Sequence, residues 1–145
     1  MEEKRKLVGE LDIEEKKWKE IREKVKNVPE MKVILEKYLE GDISDLFKII
    51  MGGAINVEAS DIHFEPLEGG AAKMRLRIDG LLQDVFVFPA EVYNALVSRI
   101  KLVSGMKINI FDRPQDGRFS VRTDVLIEIR VSSLPAEYGE TIVMR

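Results

Sequence analysis

The spacing of apolar residues changes near residue 60 of this chain, and this change constrains the fold more than any other feature of the sequence. Before it, apolar side chains recur every three to four residues, which is the period of an α-helix with one buried face. Beyond it, stretches occur in which apolar and charged residues alternate, as in a strand with one buried face. Hairpins with helices packed on one face are typical of the α+β class. We therefore expect an α+β fold with a mostly antiparallel sheet.

The helical part of the pattern predicts three helices, over residues 1–27, 30–40 and 44–55. The first has a narrow apolar stripe with a spacing close to 3.5 residues, which suits a helix that docks on the domain or pairs with another helix. Pro29 interrupts it, and Gly41 is expected at the left-handed position that ends the second helix. We therefore divide the chain into a helical N-terminal extension, residues 1–40, and a domain, residues 41–145.

The alternating part predicts two sets of three strands, separated by a helix over residues 90–104 that Gly105 ends. Asp79-Gly80 is a strong two-residue hairpin turn in the first set, and Thr123-Asp124 is the turn in the second. Loops are expected at residues 112–117 and 134–139. The predicted strands span residues 61–65, 73–78, 81–88, 118–122, 125–132 and 141–144.

Length and composition exclude several classes of protein. The 145 residues suit one domain, and the sequence contains no run of about 18 apolar residues and no signal-like N-terminal segment. The absence of cysteine removes disulfide frameworks and thiolate sites, and the single histidine, His63, leaves no second imidazole for a multi-histidine metal site. We therefore expect a protein of the cytoplasm without direct insertion into a membrane.

Charge is distributed unevenly, although the net charge is only −3. Residues 1–40 are rich in lysine, whereas residues 71–145 contain eight arginines. The second half is too close to neutral for the basic stripe typical of nucleic-acid binding, so no nucleic-acid partner is expected. Because guanidinium groups pair bidentately with carboxylates and phosphates, these arginines either pair with nearby acidic residues or converge into an anion clamp. The candidates are Arg75, Arg77, Arg99, Arg113, Arg118, Arg130 and Arg145.

Common catalytic motifs are missing from the sequence. It has no phosphate-binding loop, no dinucleotide-binding glycine motif and no nucleophile elbow. Asp61, His63 and Glu65 share one side of a predicted strand, where they form either a weak metal site or, as we expect, a polar face that bonds to neighbouring loops. We predict no metal site and no catalytic residue in the isolated chain.

Six short blocks make the sequence recognisable. They are A-S-D-I-H-F-E-P at 59–66, R-L-R-I-D-G at 75–80, V-S-R-I-K-L-V-S-G at 97–105, R-P-Q-D-G-R at 113–118, R-V-S-S-L-P at 130–135 and Y-G-E-T-I-V-M-R at 138–145. In this order and spacing they resemble the traffic ATPases that drive type II secretion and type IV pilus assembly. The resemblance covers residues 43–145 and does not extend over residues 1–40.

The resemblance implies one domain of a larger motor. Members of the family have an N-terminal domain with a PAS-like α/β fold, joined to a RecA-like motor domain that carries Walker A, the Asp box, Walker B and the His box. Because this chain is similar to the N-terminal domain only, the expectation is a PAS-like domain over residues 41–145 that does not hydrolyse ATP alone. ATP and Mg are expected only together with the motor domain of a parent ATPase.

The resemblance also implies partners and site residues. In the hexamers of this family the N-terminal domain closes over nucleotide held by a motor domain, at the inner face of the cytoplasmic membrane. Platform or accessory proteins of the secretion or pilus machine are further expected partners. Two arginines fifteen residues apart reach the phosphates as arginine fingers, and the matching positions are Arg130 and Arg145. Second-rank candidates for the phosphates or the domain interface are Arg75, Arg77, Arg113 and Arg118.

Two other functions are compatible with these residues. The chain could be a stand-alone PAS-like module that holds a small ligand in its sheet, which predicts a ligand-dependent shift of the melting temperature. It could instead be an adaptor whose residues 1–40 pair with a helix of a platform or accessory protein. Deletion of that segment would then abolish partner binding and leave the fold intact.

Overall fold

A seven-stranded sheet forms the centre of the fold. The structure, a computed structural model, describes residues 9–145. The order of strands across the sheet is β1-β5-β6-β7-β2-β3-β4, with β1 Glu10–Asp12, β2 Asp61–Pro66, β3 Ala72–Ile78, β4 Leu81–Phe88, β5 Gln115–Arg122, β6 Leu126–Ala136 and β7 Gly139–Met144. Neighbouring strands are antiparallel except for β1 and β5. The predicted α+β fold with a mostly antiparallel sheet is confirmed.

Four helices within residues 9–145 pack on this sheet: α1 Glu15–Lys24, α2 Val28–Tyr38, α3 Ile43–Asn56 and α4 Ala90–Ser104. Phe47 of α3 packs against Phe119 of β5, with ring centroids 5.8 Å apart, and Tyr93 of α4 packs at the same distance against Phe64 of β2. Alternate residues of a strand point to opposite faces. The helices therefore cover the apolar face of the sheet, and the opposite face carries the charged side chains.

Capping residues mark several helix ends. The side chains of Asn27 and Asp42 accept hydrogen bonds from the backbone N–H groups of Glu30 and Ser44, at the starts of α2 and α3. Gly105 ends α4 with a φ of 79°, a left-handed conformation that glycine adopts without a steric penalty. The predicted stop of that helix is confirmed.

The end of α2 differs from the prediction. The helix ends at Tyr38, and Leu39 continues in a right-handed conformation. The backbone N–H of Gly41 then donates to the carbonyl of Tyr38 at 3.1 Å. A tightened last turn therefore satisfies the free carbonyl, and a left-handed Gly41 is not needed.

The helix predicted over residues 1–27 is wrong for residues 10–12. Residues 1–8 lie outside the described residues, the next segment forms β1, and the helix that follows is only α1. Strand β1 lies parallel to β5, and the backbone N–H of Ile13 donates to the carbonyl of Arg122 at 2.9 Å. Pairing with the free edge of β5 satisfies backbone groups on both segments, and it overrides the helical spacing of the sequence.

The two N-terminal helices pack directly on α3. A Cβ atom on Gly52 would lie 2.6 Å from Cδ1 of Ile21, and one on Gly53 would lie 2.8 Å from Cε of Met31. The missing side chain of Gly52 therefore allows α1 to lie close to α3, whereas at Gly53 the atom that would be met is the movable end of the Met31 side chain. The domain boundary at residue 40 stays a prediction.

The loops predicted at residues 112–117 and 134–139 are too long. Strand β5 already begins at Gln115, and β6 continues to Ala136, so that only residues 137–138 separate β6 from β7. The sequence contains turn-forming residues in both places, but the ladders continue through them because each strand has a paired neighbour to bond with. The extended β5 and β6 lie beside β7 at the part of the sheet where three arginines occupy neighbouring strands.

Candidate functional site

Three arginines lie side by side on three neighbouring strands of the sheet. Arg118 of β5 is directly opposite Arg130 of β6. Arg130 and Arg145, the residue after β7, exchange both backbone hydrogen bonds, at 3.0 and 2.8 Å. Directly opposite residues have Cβ atoms about 5 Å apart and point to the same face. The three side chains therefore leave the sheet together, on the face that the helices do not cover.

This arginine row has few partners of opposite charge. Arg118 Nη1 lies 3.9 Å from Glu128 Oε1, and Arg145 Nε lies 3.7 Å from Asp61 Oδ1. For Arg130, no carboxylate of residues 9–145 lies within ion-pair distance. Like charges directly opposite each other in a sheet are destabilising. The row is therefore a place where a bound anion would relieve repulsion between the arginines.

The arginine row lines an open cleft of about 640 Å³. Asp116 and Ser132 line it as well, and the Ser132 hydroxyl donates to Asp116 Oδ1 at 2.9 Å. Among residues 9–145, the one carboxylate of the lining thus already accepts a hydrogen bond, and Leu134 and Val143 are among the apolar residues of the lining. Exposed guanidinium groups in such a cleft are suited to bind phosphate or carboxylate groups.

Arg77 lies on the same face, outside the cleft. Its Nε donates to Asp61 Oδ2 at 3.0 Å, and its Nη1 donates to the carbonyl of Gly80 at 3.1 Å. These two bonds hold the side chain between β2 and the turn that joins β3 to β4. Arg77 therefore has its partners within the sheet, as one of the sequence-based alternatives expects.

The remaining candidates also lie away from the cleft. Arg75 Nε lies 2.9 Å from Asp84 Oδ1 on the neighbouring strand. Arg113 is largely exposed and lies beside Asp112, the preceding residue, at 3.3 Å. Of the six arginines proposed from the sequence for phosphate contacts, the structure brings together Arg118, Arg130 and Arg145 and does not bring Arg75, Arg77 or Arg113 to them.

The polar face of β2 has the alternation that the sequence predicts. Asp61 and His63 point away from the core, with His63 Nε2 3.7 Å from Asp61 Oδ2, and Glu65 lies 4.0 Å from Arg75. Within residues 9–145, no group of three histidine, aspartate or glutamate residues is arranged to hold a metal ion. Asp61 and Glu65 are thus engaged by arginines of the neighbouring strands.

Sequence reasoning missed a buried ion pair between α4 and the start of β7. Lys101 of α4 is fully buried, and its Nζ donates to Glu140 Oε1 at 2.7 Å and to the carbonyl of Ile110 at 2.8 Å. The Tyr93 hydroxyl donates to the Glu140 carbonyl. Burial, and then the charge of Glu140, raise the pKa of Tyr93 well above its usual value. These bonds fix α4, the loop before β5 and the start of β7 to one another.

The only sequence signal for this ion pair is a lysine next to the apolar stripe of α4. Its acidic partner is far away in the chain, so the spacing of residues does not identify it.

Within residues 9–145, no helix is long and apolar enough to cross a membrane.

Comparison with known proteins identifies relatives of this chain. Residues 36–145 match the family described as Type II/IV secretion system protein, so the resemblance begins earlier in the chain than the predicted residue 43 and includes residues 36–40. The chain is 40% identical over 119 residues to type II secretion system protein E of Pseudomonas aeruginosa. The aligned residues cover 81% of this chain and 24% of that protein. It is 36% identical over 119 residues to type II secretion system ATPase E of Vibrio cholerae, with the same two shares covered.

A type IV pilus protein is similar to a comparable extent. Type IV pilus assembly ATPase PilB of Myxococcus xanthus is 34% identical over 126 residues, which cover 86% of this chain and 22% of that protein. The chain thus spans about a quarter of the length of the curated relatives it matches.

Proposed function

The chain belongs to the Type II/IV secretion system protein family, and from this membership we propose that it is the N-terminal nucleotide-sensing and coupling domain of a hexameric ATPase that powers type II secretion or type IV pilus assembly. In this proposal the domain is PAS-like and closes over ATP bound to a RecA-like motor domain. Hydrolysis belongs to the motor domain, and this chain contributes arginine side chains to it.

The observation that carries the proposal is the position of Arg130. It lies between Arg118 and Arg145 on adjacent strands, it lines the cleft, and it has no carboxylate partner within the described residues 9–145. A positive charge kept without a partner beside two like charges lowers stability. Such local conflicts are expected at functional sites, where a ligand supplies the missing interaction.

Arginine suits this role for physical reasons. Its guanidinium group is planar, stays protonated and donates in parallel to two oxygens of a phosphate. The backbones of Arg130 and Arg145 are bonded to each other across the sheet rather than carried by a flexible loop, so both side chains start from fixed positions beside the cleft when the domain closes. An arginine that neutralises charge on the transferred phosphoryl group can contribute roughly 10³–10⁵ in rate. Arg118 lines the same cleft, and we include it as a third phosphate contact.

The residues of the cleft fit a phosphate better than a metal ion. Three guanidinium groups surround it, and its one carboxylate, Asp116, accepts a hydrogen bond from Ser132. In the proposal, Mg²⁺ is held by the motor domain and offsets part of the phosphate charge there. What this chain contributes is orientation and fixed positive charge.

The proposal also specifies partners and location. The expected partners are the motor domain, neighbouring subunits of the hexamer and platform or accessory proteins of the secretion or pilus machine. The expected location is the cytoplasm, at the inner face of the cytoplasmic membrane. Support for this setting comes from relatives described as a type II secretion system ATPase and as type IV pilus assembly ATPases.

The test is steady-state ATP hydrolysis by the natural protein that includes the motor domain. Arg130→Ala and Arg145→Ala should each lower kcat by at least about 100-fold, since each removes a charge that acts on the phosphates. Arg113→Ala is the matched control, because Arg113 is exposed and lies outside the cleft. Turnover and nucleotide affinity at the wild-type level in both variants would refute the proposed role.

A further inference from the structure

An aspartate, Asp61, lies beside Arg145 at the end of the arginine row. The pairing of Ile62 with Met144 places Asp61 beside Arg145, and on its other side Asp61 is directly opposite Arg77. Asp61 therefore lies between two arginines, at the point where the arginine row leaves the cleft. Its side chain is mostly buried, with 16% of its surface exposed, whereas Arg145 is 72% exposed.

Asp61 holds its two arginines unequally. Arg77 Nε donates to Oδ2 at 3.0 Å and is fixed a second time by the carbonyl of Gly80. Arg145 Nε lies 3.7 Å from Oδ1, which is an ion-pair distance but too long for a hydrogen bond. Arg77 is thus anchored, and Arg145 is only loosely held.

We propose that Asp61 is a positioning residue that holds Arg145 at the edge of the cleft until a phosphate takes over its guanidinium group. This inference rests on the proposed function and adds a competition to it. Arg145 exchanges one anionic partner for another. Arg130, which has no carboxylate partner among residues 9–145, supplies the first attraction for the phosphate.

The exchange does not leave Asp61 without a partner. Its carboxylate keeps the hydrogen bond from Arg77, and His63 Nε2 lies 3.7 Å from the same oxygen. An unpaired charge in a mostly buried position would be costly. Because Arg77 stays, the release of Arg145 loses only one long ion pair whose arginine is 72% exposed, and pairs with an exposed partner are weak.

The competition has a measurable consequence for anion affinity. Asp61 favours the state in which Arg145 is away from the phosphate, so removal of its charge should tighten phosphate binding. Exposed ion pairs correspond to a change of about two- to fivefold in an equilibrium constant. A residue with a merely structural role would weaken binding when it is replaced.

The experiment is a titration of the chain with inorganic tripolyphosphate at low ionic strength, followed by NMR. Asp61→Asn should lower the Kd about two- to fivefold, and Asp61→Glu should restore it towards the wild-type value. Asp84→Asn is the matched control, since Asp84 lies on the same sheet face and pairs with an arginine, Arg75, outside the cleft. It changes net charge equally and should leave the Kd within about 1.5-fold of wild type.

A double-mutant cycle shows whether the effect acts through Arg145. In the Arg145→Ala background, Asp61→Asn should no longer change the Kd. In the wild type, tripolyphosphate should shift the signals of the Arg145 Nε–H and the Asp61 carboxyl carbon and leave that of the Arg77 Nε–H in place. This last measurement needs no variant at Asp61, so it decides the matter even if Asp61→Asn does not fold.

The outcomes separate this inference from the function on which it rests. No saturable binding by the wild type, or binding that Arg130→Ala leaves unchanged, would overturn the proposed function and this inference together. Binding that depends on Arg130 but is unchanged or weakened by Asp61→Asn would overturn this inference alone. The same holds if Asp61→Asn tightens binding equally in the Arg145→Ala background, or if the Asp61 carboxyl signal does not move.

Discussion

Arg130 and Arg145 exchange both of their backbone hydrogen bonds, so two residues that are fifteen positions apart in the chain are held opposite each other on adjacent strands. In such a pair the Cα atoms lie about 5.5 Å apart. The separation of the two backbone positions therefore depends on strand register and not on a contact between the side chains. Both guanidinium groups start from adjacent strands, within reach of one ligand at the cleft.

The arginine row should weaken the fold in the absence of an anion. Arg130→Gln removes the central charge between Arg118 and Arg145, and we expect it to raise the free energy of unfolding by about 0.5 kcal/mol. Urea denaturation at low salt measures this change, and the gain should shrink at high salt because screening already reduces the repulsion. Arg113→Gln, outside the row, should have no such effect. A loss of stability in Arg130→Gln would show that this residue is paired.

The buried ion pair between Lys101 and Glu140 should be essential as a pair. Lys101→Met leaves the carboxylate of Glu140 buried without its partner, and we expect this to lower the free energy of unfolding by about 3–5 kcal/mol. The double variant Lys101→Met with Glu140→Gln should lose less, because no buried charge remains. Urea denaturation of both variants measures the difference, with Lys107→Met, in the exposed loop between α4 and β5, as the control. Equal losses in the single and double variants would contradict it.

Tyr38 should make stability depend on pH in the alkaline range. Partial burial, and then its hydrogen bond to Glu20, raise the pKa of Tyr38 from 10.0 to about 12. Because the folded-state pKa lies above the unfolded value, the contribution of Tyr38 is fully present below pH 10 and is lost as the pH rises towards 12.

A spectrophotometric titration of tyrosine ionisation tests this expectation. One tyrosine that ionises near pH 12 should be missing from the titration of Tyr38→Phe. In that variant, the fall in the free energy of unfolding between pH 10 and 12 should also be smaller. Tyr138→Phe is the control, since Tyr138 is exposed. If the two variants titrate alike, the raised pKa of Tyr38 is refuted.

Gly117 should not tolerate a side chain. A Cβ atom there would lie 2.4 Å from the backbone carbonyl oxygen of Ser104, at the end of α4. Backbone cannot move as a side-chain end can, so Gly117→Ala should lower the free energy of unfolding by about 1–3 kcal/mol. Gly53→Ala is the comparison, because its Cβ would meet the flexible end of Met31 and alanine favours the helix by about 1 kcal/mol. Thermal unfolding of both variants should show a marked drop in Tm only for Gly117→Ala.

Local patterns in the sequence determined the class of the fold and most of its elements. The hairpin at Asp79-Gly80 is confirmed, with φ values of 51° and 80°, because few residue pairs accept two left-handed positions in succession. Alternation placed the polar side of β2 correctly, since side chains of a strand must alternate between faces. The arginines themselves could be recognised, and so could the resemblance that singled out Arg130 and Arg145.

The tertiary structure alone decided which of these arginines lie together. Strand β7 lies between β6 and β2, and this order brings Arg145 next to Arg130 on one side and next to Asp61 on the other. The pairing of β5 with β6 adds Arg118 to the arginine row, and a hydrogen bond to the Gly80 carbonyl keeps Arg77 beside the β3–β4 hairpin. Periodicity along a chain specifies which face a residue occupies. Which strand becomes its neighbour depends on backbone pairing and on the packing of the helices against the far face, and these join segments that are distant in the sequence.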